Sequence, residues 1–202
     1  KTTTAQITDA CGMMADYSEV DQKIAELNGM SAAFMLSQAT AKLHGMAKEF
    51  VDTLFYGDEA TAPEEFTGFT PRYNSKSGVN AENILNAGGT GSDNTSIWIV
   101  SWGSYKVHGI FPPGSKAGWQ AIDKGLITAE NVGGQIGRME VYRSYYSWDC
   151  GLPIPDWRNV VRIGNIDLSD LTKNAATGAD LLDLISQGIE LIPSIAGGRT
   201  AI

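Results

Sequence analysis

The sequence predicts a protein of the α+β class, and two observations lead to that prediction. Helical periodicity occurs in two blocks, one near the start of the chain and one near its end, whereas strand-like segments lie between them. Helices and strands are therefore segregated along the chain rather than alternating, which favours an α+β arrangement over a parallel sheet with crossover helices. We predict an extended arm, a long helix, several antiparallel strands and a second helix, in that order.

The first thirty residues predict an extended arm followed by a short helix. Residues 2–14 are rich in threonine and read as extended chain. The following segment SEVDQKIAELNG has Ser18 as its candidate N-cap and Gly29 as its candidate stop. Three apolar residues share one face of this predicted helix: Val20, Ile24 and Leu27.

The segment from Ser31 to Gly57 predicts a single helix of about seven turns. Its apolar residues recur at steps of three or four and form one stripe: Leu36, Ala39, Leu43, Met46, Phe50 and Leu54. Ser31 is the candidate N-cap and Gly57 the candidate C′ residue. Such a helix would span roughly 35 to 40 Å. Two interpretations remain open, a core helix packed on a sheet and a spine along which other parts of the subunit are arranged.

Strand-like segments occupy the middle of the chain, after loops rich in glycine, proline, asparagine and serine. The segments TSIWIVSW and YKVHGIF predict a hairpin with Gly103 and Ser104 as its two-residue turn. AIDKGLIT and RMEVYRSYYSW predict a second, longer hairpin, and WRNVVRIGNIDL predicts a further strand. The segment GADLLDLISQGIELI then predicts an amphipathic helix that ends at Pro193.

The composition excludes several classes of protein. The 202 residues carry a formal net charge of -8, and the 15 basic residues are scattered, so tight binding to a phosphate backbone is not expected. No apolar run approaches the length of about 18 residues that a membrane span needs. Cys11 and Cys150 fit no metal or redox spacing; two reduced thiols are favoured over a single disulfide.

The sequence contains no recognisable catalytic or cofactor motif. His44 and His108 have no second histidine at metal-ligand spacing, and neither HExxH nor CxxC occurs. The stretch GGTGSD lacks the last glycine of the dinucleotide fingerprint, and GxSxG is absent. Carboxylate pairs such as Glu64 and Glu65 are ordinary in an acidic protein. We predict that the protein is not an enzyme and uses no metal or cofactor.

Five tryptophans form the most distinctive chemical feature of the strand region: Trp98, Trp102, Trp119, Trp148 and Trp157. Together with nearby tyrosines and arginines they could stack bases or sugars. Packing within sheets and interfaces is the favoured interpretation, because large rings commonly have that role. We predict that four of these side chains belong mainly to the core: Trp98, Trp102, Trp148 and Trp157.

Longer segments of the sequence resemble a known protein family. The segments TTTAQITDACGMMADYSEVDQKIAELNG, TLFYGDEATAPEEFTGFTPRYN, AGGTGSDNTSIWIVSWG, HGIFPPGSKAG and YSWDCGLPIPDWRNVVRIGNIDLSDL resemble, in that order, major capsid proteins of tailed double-stranded DNA phages. The resemblance covers nearly the whole chain. It implies the fold named after phage Hong Kong 97, with an extended loop, a long spine helix, a peripheral domain of antiparallel strands and an axial domain.

The resemblance implies a division of the chain into four segments. Residues 1–30 would be part of the extended loop and its lead-in helix, and residues 31–57 the spine helix. Residues 58–167 would hold the strands and connecting loops of the peripheral domain, and residues 168–202 would begin an incomplete axial domain. Family members have an arm before this region and more axial-domain sequence after it, so we expect the chain to be a fragment.

The resemblance also implies a structural function. The protein would assemble with copies of itself into hexamers and pentamers of an icosahedral head, with scaffold, portal and decoration proteins as further candidate partners. The shell would enclose double-stranded DNA without sequence-specific binding. The protein would be made in the host cytoplasm and reside in the virion, without contact with a membrane. The alternatives are another virion structural component or a carbohydrate-binding module that uses exposed tryptophans.

Contacts between subunits are expected mainly along the opening arm. The residues predicted to make them are Thr2, Thr3, Thr4, Gln6, Thr8, Met13 and Met14.

Overall fold

The computed structural model describes residues 7–29, 32–130, 137–171 and 181–193. The chain forms two compact units, and each is built from two separate stretches of sequence. Unit 1 comprises Lys1–Gly68 and Ile110–Gly151, and unit 2 comprises Phe69–Gly109 and Leu152–Ile202. The α+β prediction is confirmed, since both units combine a three-stranded sheet with helices.

Unit 1 contains a three-stranded antiparallel sheet and two helices. Its strands are β1 (Gly12–Asp21), β4 (Gln120–Glu130) and β5 (Arg138–Cys150), and its helices are α1 (Gln22–Leu27) and α2 (Ala32–Tyr56). The strand order is β1-β5-β4, so β5 lies in the centre. β4 and β5 are adjacent in sequence and pair antiparallel, which confirms the longer of the two predicted hairpins.

The extended segment at the start of the chain continues further than predicted. β1 pairs with β5 from Gly12 to Asp21, and Ser18 lies buried within this strand. The prediction of Ser18 as a helix N-cap is therefore wrong. Asp21 caps α1 instead, because its carboxylate accepts a hydrogen bond of 3.1 Å from the backbone N–H of Ile24. Gly29 follows the helix with a φ of 68°, a conformation that suits glycine.

The predicted long helix is confirmed as α2. Its 25 residues correspond to about 37 Å at 1.5 Å per residue. The predicted N-cap, Ser31, lies outside the described residues. Gly57 follows the helix, but it does not adopt the left-handed conformation expected of a C′ glycine. Glycine is needed at position 57 because a Cβ there would lie 2.6 Å from the carbonyl oxygens of both Phe66 and Thr53.

Helix α2 packs on one face of the unit 1 sheet. Lys42 forms a 3.2 Å ion pair with Asp16 of β1, and the ring of Phe50 stacks on Trp148 of β5 at 4.2 Å between centroids. Only Ala39 and Met46 are buried within the helix. Leu36, the first residue of the predicted apolar stripe, is 55% exposed. The contact with the sheet therefore covers a small part of the helix surface.

Unit 2 contains a mixed three-stranded sheet in the order β2-β6-β3. Its strands are β2 (Ile84–Asn86), β3 (Asn94–Val100) and β6 (Val160–Asp167), and its helices are α3 (Phe69–Arg72), α4 (Leu168–Leu171) and α5 (Leu181–Leu191). Short 3-10 helices at Ala81–Asn83 and Trp157–Asn159 precede β2 and β6. Helix α5 packs on β6 over a buried aliphatic cluster: Ile99, Val161, Ile163, Ile166 and Ile192.

The shorter predicted hairpin is wrong. β3 exists, but it pairs with β6 rather than with the segment YKVHGIF, which forms no strand. That segment instead begins with a compact turn, in which the N–H of Gly103 donates to Val107 and the N–H of Lys106 donates to Gly103. β3 pairs instead with β6, a largely buried strand that lies about 60 residues further along the chain, so the local turn signal did not reveal its partner.

Aromatic side chains in unit 2 pack together around Arg162. The guanidinium lies 5.2 Å from the ring centroid of Trp98 and donates a 2.8 Å hydrogen bond to the carbonyl of Tyr73. The hydroxyl of Tyr73 donates to the carbonyl of Trp157, and burial raises the pKa of that tyrosine. Trp98, Trp148 and Trp157 are half-buried. Trp102 is 49% exposed, so its predicted core position is wrong.

Candidate assembly surfaces

The sheet of unit 1 has one face against α2 and an opposite face that is exposed. Side chains alternate between the faces along β1. Asp16, Ser18 and Val20 point toward the α2 side, where Lys42 pairs with Asp16. The exposed face, referred to below as the outer face, carries residues from all three strands: Met13, Ala15, Tyr17, Glu19, Ile122, Arg143 and Tyr145.

An apolar strip crosses the middle of the outer face. Tyr17 lies opposite Tyr145 in the β1–β5 pair, with their ring centroids 5.0 Å apart, and Tyr145 lies opposite Ile122 in the β4–β5 pair. Tyr17 and Ile122 are each 46% exposed, and Met13 is 74% exposed near the end of the same face. Rigid tyrosines with adjacent arginine and methionine are typical of protein interfaces.

Charged side chains hold the two tyrosines in place. Arg143 forms a salt bridge with Glu19 and lies 5.2 Å from the ring centroid of Tyr17. Lys124 lies 5.7 Å from the ring centroid of Tyr145. Lys124 occupies a β-bulge, where Gly125 has a φ of 71° and the register between β4 and β5 shifts. The strip is therefore ordered before any partner arrives, which lowers the entropic cost of binding.

The residues predicted to contact other subunits fall in different places. Thr2, Thr3, Thr4 and Gln6 lie outside the described residues, and Thr8 is exposed just before β1 begins. Met13 belongs to the outer face, whereas Met14 is half-buried and points to the α2 side. Their roles between subunits stay predictions.

A groove of 290 Å³ opens in unit 1 where the start of β1, the end of α2 and residues 64–66 meet. Its floor is aromatic: Phe50, Phe66 and Trp148 line it, and the ring of Phe50 lies 4.2 Å from Trp148 and 6.1 Å from Phe66. Three acidic residues also line it: Glu49, Glu64 and Glu65. The backbone fixes one edge, because the N–H of Met13 donates to the carbonyl of Glu64 at 3.3 Å. We refer to this feature as the acidic groove.

The polar groups of the described residues form no catalytic arrangement. His44 is exposed on α2, and His108 Nδ1 lies 3.1 Å from the carbonyl of Lys106. The described part of the chain contains no group of three or more His, Cys, Asp or Glu side chains arranged for a metal ion. Cys11 and Cys150 are free thiols, and burial raises the pKa of both, which makes them less reactive.

The described helices include none with both the length and the apolar character needed to cross a bilayer.

Sequence reasoning missed most of these surface residues. Tyr17 lies directly before the segment that was predicted as a helix from Ser18, although the alternation of MMADYSEV is that of a half-buried strand. Phe50 was assigned only to the apolar stripe of the long helix. Glu64 and Glu65 were identified as an ordinary acidic pair, and no sequence pattern connects them to Trp148.

Comparison with known proteins identifies a matching family and several similar solved chains. A family model described as "Major capsid protein GP7" matches residues 1–202. No match is found among curated proteins. A chain in the near-atomic resolution structure of bacteriophage Epsilon15, derived from cryo-EM and modeling, is 32% identical and has a TM-score of 0.66. The alignment covers 99% of this chain and 61% of that chain, so this chain spans about three fifths of its length.

Proposed function

The chain belongs to the major capsid protein GP7 family, and from that membership we propose that it is a structural subunit that forms the head shell of a tailed phage. The observation that carries the proposal is the match of the family model to all 202 residues. The similarity to a chain of bacteriophage Epsilon15, at 32% identity, supports it independently. The protein acts by assembly rather than by catalysis.

The surfaces of unit 1 suit a protein that binds copies of itself. The outer face keeps Tyr17, Ile122 and Met13 exposed, and most of α2 is not covered by its own sheet. A protein that functions as a monomer would be more stable if these apolar side chains were buried. In an assembly of hexamers and pentamers, neighbouring copies would cover them through heterologous contacts.

The layout that the Hong Kong 97-like fold implies stays part of the proposal. Helix α2 would be the spine helix, within the predicted limits 31–57. Residues 1–30 would belong to the extended loop, residues 58–167 to the peripheral domain and residues 168–202 to the start of the axial domain. Thr8, Met13 and Met14 would contribute to subunit contacts.

The remaining partners follow from the same function. The shell would enclose double-stranded DNA without reading its sequence. A formal net charge of -8 agrees with this, because a surface poor in cations does not hold phosphates tightly and lets packaged DNA slide. Scaffold, portal and decoration proteins are the further partners we propose. The protein would be synthesised in the host cytoplasm and then incorporated into the virion.

Electron microscopy of the native particles tests this function. We expect an icosahedral lattice of hexamers and pentamers in which this chain occupies every repeating position. A chain found only at the tail, at a single vertex or on the outside of a separate shell would instead identify another virion component. A soluble monomer or small oligomer as the native state would contradict the proposal.

The carbohydrate-binding alternative has weak support. Such a module needs several exposed tryptophans on one concave surface. Trp98 packs against Phe69 and Tyr73, and Trp148 lies between Phe50 and Trp119. The most exposed tryptophan, Trp102, also contacts a neighbouring ring, that of Phe69, at 6.3 Å between centroids.

A further inference from the structure

We propose that the acidic groove of one copy receives the turn formed by residues 74–79 of a second copy, with Lys76 as the inserted cation. We refer to this segment as the basic turn. The inference rests on the proposed function, because it names the contact through which shell subunits recognise each other. It assigns the groove a partner of definite chemistry, a lysine flanked by small polar residues and an exposed valine.

The groove combines the two features that attract an ammonium group. The half-buried residues Phe50 and Trp148 line it beside the buried Phe66, and accessible aromatic rings attract cations. Its carboxylates at Glu49, Glu64 and Glu65 form no ion pair with any other described residue. A cation that enters would therefore meet both unpaired negative charge and aromatic surface.

Among the basic side chains of the described residues, Lys76 is the favoured partner for the acidic groove. The arginines and three of the lysines already contact other groups: Arg72, Arg138, Arg143, Arg158, Arg162, Lys42, Lys106 and Lys124. Four lysines have no such contact within the described part of the chain: Lys23, Lys48, Lys76 and Lys116.

Three of these four lysines have acidic neighbours of their own. Lys23 shares helix α1 with Glu26, and Lys48 precedes Glu49 on α2. Lys116 follows Ser115, whose hydroxyl donates to Asp149. The basic turn, with the sequence NSKSGV, contains no acidic residue. Its single positive charge is therefore not offset within the turn.

The basic turn is exposed and fixed at its base. The side-chain amide of Asn80 donates a 2.6 Å hydrogen bond to the carbonyl of Arg72, which closes the loop across residues 73–79. The hydroxyls of Ser75 and Ser77 lie 2.7 Å apart and order its middle. Lys76 is exposed, and Val79 is 82% exposed. The turn thus offers a cation and an apolar side chain, which match the carboxylates and the aromatic floor.

The contact joins two different surfaces of the same protein. The groove belongs to unit 1 and the basic turn to unit 2. Such a contact is heterologous, and heterologous contacts form a closed ring when the rotation that relates successive copies closes. This is the geometry that hexamers and pentamers require.

Charge-reversal variants of the native full-length protein test the proposed contact between Lys76 and the acidic groove. Lys76→Glu and the double variant Glu64→Lys/Glu65→Lys should each reduce the assembled fraction at least tenfold at a fixed protein concentration. The fraction is measured by sedimentation and by counting shells in electron micrographs. Combining the three substitutions should restore assembly at least partly. Lys116→Glu makes the same charge change outside the basic turn and should assemble like the wild type.

Far-UV circular dichroism checks that each variant is folded. Val79→Ser provides a second test of the basic turn that does not change its charge. Wild-type assembly by Lys76→Glu would overturn this contact while leaving the capsid function intact. So would an equal loss in Lys116→Glu, or no recovery in the combined variant when all variants are folded. A wild-type protein that forms no shell at all would overturn the proposed function itself.

Discussion

Replacing Gly57 by alanine should destabilise the protein, although the backbone of Gly57 is not in the left-handed conformation that disfavours alanine. A Cβ at Gly57 would lie 2.6 Å from the carbonyl oxygens of Phe66 and Thr53, both of which are backbone atoms. The neighbouring chain is fixed there, because the N–H of Gly68 donates a 2.8 Å hydrogen bond to the carbonyl of Gly57. The added methyl group can therefore be accommodated only by moving backbone.

The expected magnitude follows from this geometry. Overpacking of a filled site costs about 1 to 3 kcal/mol. For a chain of this size each kcal/mol changes the melting temperature by about 2 to 4 °C. We therefore expect Gly57→Ala to lower the melting temperature by about 2 to 12 °C, as measured by circular dichroism at 222 nm.

Gly45, which lies inside α2, provides the control variant. It is exposed, and a Cβ there would meet no atom within 4 Å. Gly45→Ala should stabilise the protein by about 0.5 to 1 kcal/mol, because alanine loses less backbone entropy in a helix than glycine. The two variants should thus melt on opposite sides of the wild type. An equal rise for both would refute the argument that the end of α2 is closely packed.

Three further changes test individual contacts. Phe50→Ala removes the ring stacked on Trp148 and should lower the free energy of unfolding by about 2 kcal/mol, measured by urea denaturation; an unchanged midpoint would contradict the stacking. Asp21→Ala removes the N-cap of α1 and should cost about 1 kcal/mol, whereas Asp21→Asn should cost much less. Hydrogen bonds from Arg158 lower the pKa of Asp156, so this carboxylate contributes stability above its unfolded pKa of about 3.9 and loses it as the pH falls. The difference in stability between the wild type and Asp156→Asn should shrink between about pH 5 and pH 2; a constant difference would show that ionisation is not responsible.

Elements defined by local periodicity could be predicted from the sequence. The long helix α2 and the hairpin of β4 and β5 depend on residues close together in the chain, and both are present. The segment from Ser18 was misassigned because its apolar residues fit a helix, while pairing with β5 keeps it extended to Asp21. β5 lies more than 100 residues further along the chain, so no local pattern could signal this pairing.

Local sequence patterns also do not reveal which residues share the outer face or the acidic groove. The sequence predicted Met13 and Met14 as equivalent contact residues, but the alternation of strand β1 sends them to opposite faces. The acidic groove combines four separate stretches, represented by Met14, Phe50, Glu64 and Trp148. Its members have ordinary roles when they are considered one by one, and only the fold makes them a concave surface.

The exposure of α2 bears on the two interpretations that the sequence left open. Within the predicted apolar stripe, Ala39 and Met46 are buried and Leu43, Phe50 and Leu54 are half-buried, as a core helix requires. Leu36 in the stripe, and Val51 and Tyr56 outside it, remain exposed. Burying a large apolar side chain fully contributes about 1.5 to 3 kcal/mol, so these side chains represent stabilisation that the isolated chain does not obtain. A neighbouring copy can supply it without any change in the helix. The packing of the stripe is that of a core helix, while the exposed side chains leave apolar surface that a second copy could cover, so the two interpretations are compatible. That α2 is the spine helix of a shell subunit stays part of the proposed function.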